Sequence, residues 1–382
     1  MFIRNIELKN FRNYESLTLD FDERINLILG DNAQGKTNLV EAIYVSSFGK
    51  SFRTSSDYKL IKFGEKEAFV KVEAAREDFN TEVEITIKAK GGFQTEEKNI
   101  IPTQKAFNTQ KFVRKDKKNI TKTADLLSNI LIVVFSPEDL KIVKDEPEKR
   151  RKFINRELCQ ISLSYLDNLS NYKKALLQRN TYLKESSINP DLLDIWDIQL
   201  AKYGAAIIKL REKYIEKIAR FSAEIHNGIT GGEEKLEIKY DPNLSIQPTV
   251  EDQEARFYEA LKMSFDSDLR NRSTQVGPHR DDIAFFVNGV DMRAFGSQGQ
   301  QRTCALSLKL AELSLIKEDT GENPILILDD VMSELDQKRQ EYLIETLSEN
   351  QLFITTTDLD SSLLAKLKDA RVFHVTAGCI SE

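Results

Sequence analysis

Gly30-Asp-Asn-Ala-Gln-Gly-Lys-Thr37 reads G-x-x-x-x-G-K-T, and its flanks give that spacing a structural setting. Before it stands the apolar run Ile25-Asn-Leu-Ile-Leu29; after it Leu39, Val40, Ile43 and Tyr44 recur at helical spacing. Strand, glycine loop and helix in this order make a phosphate-binding loop. Gly30 and Gly35 let the backbone turn so that successive N–H groups, from Asp31, Asn32, Ala33 and Gln34 onward, point inward at phosphate oxygens. The helix opening at Lys36 adds its positive dipole end. Lys36 is expected to reach the β- and γ-phosphates of a nucleoside triphosphate, and Thr37 to offer its hydroxyl to Mg²⁺. An ordinary glycine turn would need neither the preceding strand nor the following helix.

The bulk composition sets outer limits. A chain of 382 residues has room for two domains or one large domain with an insertion. It is 40% hydrophobic and 30% charged with a net charge of −6, so any nucleic-acid surface must be a local basic patch. No stretch approaches the ~20 apolar residues of a membrane span, so no membrane partner is expected. The opening Met-Phe-Ile-Arg-Asn-Ile-Glu alternates as a strand does and lacks the character of a signal peptide. Cys159, Cys304 and Cys379 are too few and too scattered for a disulfide framework or a zinc site, and a reduced, cytoplasmic setting is expected.

Outward from the loop, Ile3, Ile6, Leu8, Leu17, Leu19 and Phe21 give a broken alternation interrupted by the polar turn Asn10-Phe-Arg-Asn-Tyr14. That predicts a hairpin whose end carries Arg12 and Asn13 toward a nucleotide held by the loop, unless the turn is merely polar. Phe69-Val-Lys-Val72 and Val83-Glu-Ile-Thr-Ile87 read as further antiparallel strands, with a turn at Gly91-Gly92. Lys111-Phe-Val-Arg-Lys-Asp-Lys-Lys118 is locally basic: a solvated face, or a DNA-phosphate surface through Lys111, Arg114 and Lys115. Lys149, Arg150 and Arg151 join that candidate set. Ile130-Leu-Ile-Val-Val-Phe135 suits a strand covered on both faces.

After Pro147 the period lengthens. Apolar residues from Leu158 to Leu176 and from Leu193 to Ile225 recur every three or four positions, broken by Ser186-Ser-Ile-Asn-Pro190. This predicts an antiparallel helical hairpin with each helix on the order of 50 Å long. The reading is therefore α/β: a head of residues 1–140 and 270–382, mixed in sheet with an antiparallel β subdomain, interrupted by a mostly helical arm of residues 140–270. Gly277-Pro-His-Arg-Asp-Asp282 is a polar turn in which His279 and Arg280 are either functional or simply hydrogen-bonded.

Pro324-Ile-Leu-Ile-Leu-Asp-Asp330 is an apolar strand ending in two carboxylates. Opposite a glycine loop, Asp329 is placed to hold Mg²⁺ with Thr37, and Asp330 to polarise an attacking water. Upstream, Ser297-Gln-Gly-Gln-Gln301 opens a helix, with Ser297 a ready N-cap; the same geometry makes a second anion site. With Ser333-Glu-Leu-Asp336 behind the acidic pair, these elements in this order resemble the ABC-type ATPases.

The segment Ile6-Glu-Leu-Lys-Asn-Phe-Arg-Asn-Tyr14 is similar to the SMC-like branch of that class. Ser51-Phe-Arg-Thr54, Pro137-Glu-Asp-Leu140, Arg150-Arg-Lys-Phe-Ile-Asn155, Gly277 to Asp282 and Leu328 to Asp336 resemble the RecF family over essentially the whole chain. The resemblance implies a weak, DNA-stimulated ATPase that dimerises on ATP. Ser297, Gly299 and Gln300 of one chain would then close over the γ-phosphate held by its partner. It further implies binding to duplex DNA beside single-stranded gaps, and work with the partner RecR in loading a recombinase during recombinational repair. Some positions depart from the pattern. Asp330 stands where ABC proteins have Glu, Thr357 falls near their switch histidine, and their lid glutamine has no counterpart near Ser136. The alternative is the ATP-binding subunit of a membrane transporter, disfavoured by the N-terminal strand motif and the inserted hairpin.

Overall fold

The computed structural model describes residues 1–76, 79–90, 93–96, 99–102, 108–121, 125–127, 129–347, 349–357, 367 and 369–382. Gly91-Gly92, where the sequence predicts a turn, lies outside them. The chain forms two compact units, one of Met1–Asp139 with Ile316–Glu382 and one of Leu140–Leu315.

In the first unit β1 (Phe2–Phe11) and β2 (Tyr14–Asp20) form a hairpin in which Phe11 faces Tyr14 across Arg12-Asn13. The broken alternation of Ile3 and Ile6 has a cause: the pairing of β1 shifts between Ile3 and Asn5, so both side chains stay in the core. β3 (Ile25–Leu29) runs into the glycine loop and α1 (Lys36–Phe48) leaves it. β4 (Glu67–Ala75) and β5 (Asn80–Lys90) pair with Val70 opposite Ile85 and Val72 opposite Val83. A small ribbon joins β6 (Phe93–Glu96) to β7 (Asn99–Pro102). β8 (Asn108–Lys115) turns tightly into β9 (Lys118–Ile120) through Asp116 and Lys117, both at positive φ. The resulting antiparallel sheet has the order β2-β1-β4-β5-β8-β9. β10 (Ile132–Phe135) is wholly buried.

The second unit opens with α2 (Pro147–Ile161) and α3 (Leu163–Tyr182). The sequence predicts one long helix here; instead Ser162 stops the first and caps the second, its Oγ accepting from the Tyr165 N–H at 3.1 Å. α3 is therefore about 30 Å long, whereas the 41 residues of α4 (Pro190–Thr230) reach about 60 Å at 1.5 Å per residue. Leu193, Leu200, Ile207 and Tyr214, seven residues apart, form its buried seam. Gly204 sits where a Cβ would meet the Phe257 ring at 2.3 Å, so the helix crossing requires glycine. Gly231, at φ 67, ends α4.

β11 (Leu236–Asp241), α5 (Val250–Met263) and α6 (Phe265–Asn271) follow. β12 (Asp282–Val287) and β13 (Val290–Asp291) flank Asn288-Gly289, both at positive φ. β11 pairs with β12 from Leu236–Val287 to Asp241–Asp282. That pairing carries the second unit past residue 270, the boundary the sequence suggests, to Leu315. After α7 (Met292–Phe295), α8 (Gln298–Thr320) leads back to the first unit.

There β14 (Ile325–Asp329), α9 (Gln337–Thr346), β15 (Leu352–Thr356), β16 (Arg371–Thr376) and β17 (Cys379–Ser381) complete a second sheet. Its order is β10-β14-β15-β3-β16-β17, parallel except for the last strand. The strand carrying the acidic pair is thus separated from the glycine-loop strand by β15 alone. Asp329 registers with Thr355, and Thr355 with Ile28. The architecture is α/β with an ABC-type head.

Candidate nucleotide-binding site

The glycine loop leaves the carboxyl end of β3 in conformations that demand small residues. Gly30 and Gly35 have φ 154 and 125, and a Cβ on either would lie 2.4 Å from the Val375 carbonyl oxygen or 2.6 Å from Asn13 Nδ2. Ala33, at φ 67, is the exposed apex. Lys36 is buried, and its Nζ donates to the Gly30 and Asp31 carbonyls at 2.5 and 3.0 Å. Its ammonium is therefore inside the loop, while Asp31 and Asn32 remain exposed. Two distant segments hold the loop. Asn13 Nδ2 and the Gly378 N–H donate to the Gln34 carbonyl at 2.8 and 3.0 Å, and the Ala377 N–H donates to Gln34 Oε1 at 2.6 Å.

On the other side of β15, Asp329 Oδ1 accepts from Thr37 Oγ1 and from Thr355 Oγ1, each at 2.8 Å. Burial raises the Asp329 pKa above its ordinary value, and the two threonine hydrogen bonds work against that rise. The Thr37–Asp329 spacing fits a divalent ion: adjacent ligands of an octahedral Mg²⁺ at 2.0–2.1 Å stand about 2.9 Å apart. Asp330 follows at φ 55, its N–H donating to the Thr355 carbonyl at 3.1 Å and Oγ1 at 3.0 Å. Its carboxylate makes no hydrogen bond among the described residues. Thr357, near the expected switch position, is exposed.

A buried carboxylate that sequence reading did not single out organises the same face. Glu41, on α1, is fully buried and accepts from Arg12 Nε at 2.8 Å and Arg12 Nη2 at 2.7 Å. It also accepts from Ser51 Oγ, and from Arg53 Nη1 at 3.4 Å. Arg53 further reaches Asn38 Oδ1 at 2.9 Å, and Asn38 Nδ2 reaches Asn13 Oδ1 at 2.8 Å. Asn13 thus lies directly against the loop, whereas the fork of Arg12 is engaged by Glu41. A lone acid on an otherwise apolar stretch of α1 is the signal that could have revealed it.

At the start of α8, Ser297 Oγ accepts from the Gln300 N–H and Gln300 Oε1 from the Ser297 N–H, both at 3.2 Å. This reciprocal capping box is the N-cap that the sequence suggests. Ser297 and Gly299 are exposed. A Cβ on Gly299 would meet nothing nearer than Ser297 Oγ at 4.0 Å, so packing within the chain does not require glycine there. Gln300 Nε2 donates to Glu234 Oε1 at 2.9 Å, and Glu234 Oε2 in turn lies 3.2 Å from His226 Nε2.

The expected DNA contacts divide. Arg150 is not one: it is 1% exposed and its fork grips Asp282 at 2.6 and 2.8 Å, because a guanidinium in a core needs a carboxylate. Arg151 is half-buried, with Nη1 on the Asp281 carbonyl at 2.7 Å. Lys111 pairs with Asp57 at 2.9 Å, and Lys115 reaches Asn129. Arg114 is exposed and Lys149, also exposed, pairs with Asp145 at 2.9 Å. Lys117 and Lys118 stand exposed at the β8–β9 turn. His279 is held on both nitrogens, by Tyr172 at 2.7 Å and the Thr274 carbonyl at 3.0 Å.

The model of the RecF/RecN/SMC N terminal domain matches residues 2–381. The DNA replication and repair protein RecF of Agathobacter rectalis is 43% identical over 381 residues, covering 99% of this chain and 98% of the relative. The chain belongs to the RecF family. RecF of Alkaliphilus oremlandii is likewise 43% identical, over the full length of both chains. A solved structure of the recombination mediator protein RecF with ATP, in the RecFOR pathway, superposes with a TM-score of 0.87 at 37% identity, covering 100% of this chain and 97% of the other. An Smc head bound to the C-winged helix domain of ScpA shares the fold, with a TM-score of 0.55 at 17% identity over 100% and 96% of the two chains. The transporter-subunit alternative finds no support among these relatives. Among the described residues no helix is long and apolar enough to cross a membrane.

Proposed function

We propose that this chain is an ATP-switched DNA-binding repair protein: it binds ATP and Mg²⁺ in the glycine loop, dimerises around two nucleotides, and holds DNA in that state. The observation that carries the reading is the placement of Thr37 Oγ1 against Asp329 Oδ1, 2.8 Å apart, beside a loop that already encloses the Lys36 ammonium. Bound Mg²⁺–ATP supplies the scissile phosphoanhydride and a cation that neutralises its charge. Lys36 exchanges its loop carbonyls for phosphate oxygens. Thr37 and Asp329 are the residues that would hold the cation, whose charge would favour the ionised form of Asp329. Asp330, with a carboxylate not engaged elsewhere, orients and deprotonates the attacking water. A shorter acid than glutamate reaches less far, in keeping with slow turnover.

Each chain carries one glycine loop and one Ser297-Gln-Gly299-Gln300 cap, and the capping residues are exposed. A glycine without a packing reason in the first helical turn suits close approach of a partner's γ-phosphate. Phe295, 78% exposed just before the cap, suits a surface that a second copy covers. Membership of the RecF family supports duplex and gapped DNA as the ligand, RecR as a further partner, and a cytoplasmic role in recombinational repair. Arg114, Lys117 and Lys118 are the phosphate contacts the first unit offers. Neutralising all three should lower the salt slope of DNA binding by about 2–3.

Sedimentation of the purified chain with and without ATP–Mg²⁺ tests the mechanism. An ATP-dependent shift from monomer to dimer, lost in Ser297→Arg, is expected; a monomer under every condition would overturn it.

A further inference from the structure

In the second unit Arg150, Arg179 and Arg211 are buried, and each is answered by carboxylates: Asp282, Asp197 with Asp268, and Asp281. Arg151 differs. Half-buried, it donates to the Asp281 carbonyl, and among the described residues no carboxylate forms an ion pair with it. Burial, and then Arg211 nearby, pull its pKa below the ordinary arginine value, and the charges of Asp282, Asp281 and Glu148, none of them within ion-pair distance, only partly offset that fall.

Arg151 lines a cavity of about 250 Å³. The exposed Lys152 and Lys173 line it too, and the one acid in its wall, Glu148, is paired with Lys152 at 2.7 Å. The floor is apolar, from the buried Leu169, Tyr172 and Ile207. Asn155 adds a donor: its Oδ1 accepts from Tyr165 and Arg211, while its Nδ2 has no partner among the described residues. The stretches Arg150 to Asn155 and Gly277 to Asp282, prominent in the sequence and unused by the nucleotide site, both contribute to this wall.

A guanidinium fork with two ammonium groups favours a phosphate over a single carboxylate. An apolar floor with one amide donor favours a ring with a polar edge, and the volume, just below the usual range of ligand sites, limits the occupant to a small unit. We propose that this cavity binds one nucleotide unit, its phosphate on Arg151, Lys152 and Lys173 and its base against Tyr172 and Ile207. The unit is either a free nucleoside 5′-monophosphate or the 5′-phosphorylated end of a DNA strand; only the second source rests on the DNA-binding reading above.

The test uses the full chain with a non-hydrolysable ATP analogue saturating the glycine loop. Fluorescence anisotropy compares oligo-dT carrying a 5′-phosphate or a 5′-hydroxyl, with dTMP, inorganic phosphate and tetraglutamate as competitors. Tighter binding of the phosphorylated end, competed by dTMP and weakened roughly tenfold in Arg151→Gln and Lys173→Gln, is expected for a strand end. Competition by dTMP without a preference for the phosphorylated end assigns the free nucleotide. Absence of both effects, or equal competition by tetraglutamate, would overturn the proposal. Lys173 is exposed, so Lys173→Gln decides if Arg151→Gln fails to fold. Binding of a covalently closed circular duplex, which has no ends, reports separately on the DNA-binding reading and should not change in Lys173→Gln.

Discussion

Acid should unfold the second unit through His279, and the size of the effect follows from the ring's surroundings. Nε2 faces the Thr274 carbonyl and therefore carries the proton, so Nδ1 accepts from Tyr172 Oη. Burial, with Arg280, Arg151 and Arg211 close by, lowers the pKa to about 4 from the ordinary 6.5. A histidine depressed on folding stabilises the native state fully above pH 6.5, and that stability is lost as pH falls toward 4, because the unfolded chain takes up the proton first. At 1.36 kcal/mol per pH unit the loss is about 2 kcal/mol by pH 5 and about 3 kcal/mol below pH 4.

The assay is urea unfolding followed through the chain's single tryptophan, Trp196, which packs beside Tyr182 in the same unit as His279. Carboxylates also titrate below pH 5, so the readout is the difference between the native chain and His279→Gln, which keeps an amide donor and acceptor without a titrating ring. The variant should start less stable at pH 7.5, and the two curves should converge as pH falls to 5. Curves that stay parallel across that range would refute the assignment of a neutral, buried His279.

The remaining predictions concern the nucleotide site and the core. Asp330→Asn should slow ATP hydrolysis by roughly 10²- to 10⁴-fold while the ATP-dependent dimer still forms in sedimentation, since only the water-activating carboxylate is lost. Gly35→Ala should cost about 1–3 kcal/mol in thermal unfolding and weaken nucleotide binding, because the added Cβ meets Asn13 at 2.6 Å in a backbone conformation that L residues avoid. Asp282→Ala leaves the Arg150 guanidinium buried without its carboxylate and should destabilise the second unit by about 3–5 kcal/mol in urea titrations.

What could be read from the sequence was local. The glycine loop, the acid-ended strand and the Arg12-Asn13 turn are each written in consecutive residues, and parallel strand order then brings Asp329 within one strand of β3. Thr355 was missed because its role arises from register: it lies between Asp329 and Ile28 on β15, and nothing in Leu352–Thr356 distinguishes one threonine from the next. Glu41 was missed because its partners, Arg12, Ser51 and Arg53, come from different loops. Arg150 looked like a surface cation since a charge run does not reveal which member faces Asp282, 132 residues away. The break at Ser162 escaped the periodicity because α2 and α3 keep the same three- and four-residue steps on both sides of a cap.

The way the loop is held bears on where binding energy goes. Asn13, Ala377 and Gly378 fix Gln34 before any ligand arrives, and Lys36 is already folded inward, so little chain entropy is lost when phosphate replaces the loop carbonyls. On the proposed reading, contacts that a nucleotide makes within one chain stabilise monomer and dimer alike and cannot shift the equilibrium between them. Only contacts made by the partner's Ser297, Gly299 and Gln300 differ between the two states. Moving the population from 1:99 to 99:1 needs about 5.5 kcal/mol of such differential binding, a demand that falls on a few exposed donors at the start of α8. A substitution at Ser297 should therefore abolish dimerisation while leaving ATP binding to the monomer nearly unchanged, whereas Lys36→Ala should remove both; equal loss of monomer affinity in the two variants would sink this division of labour.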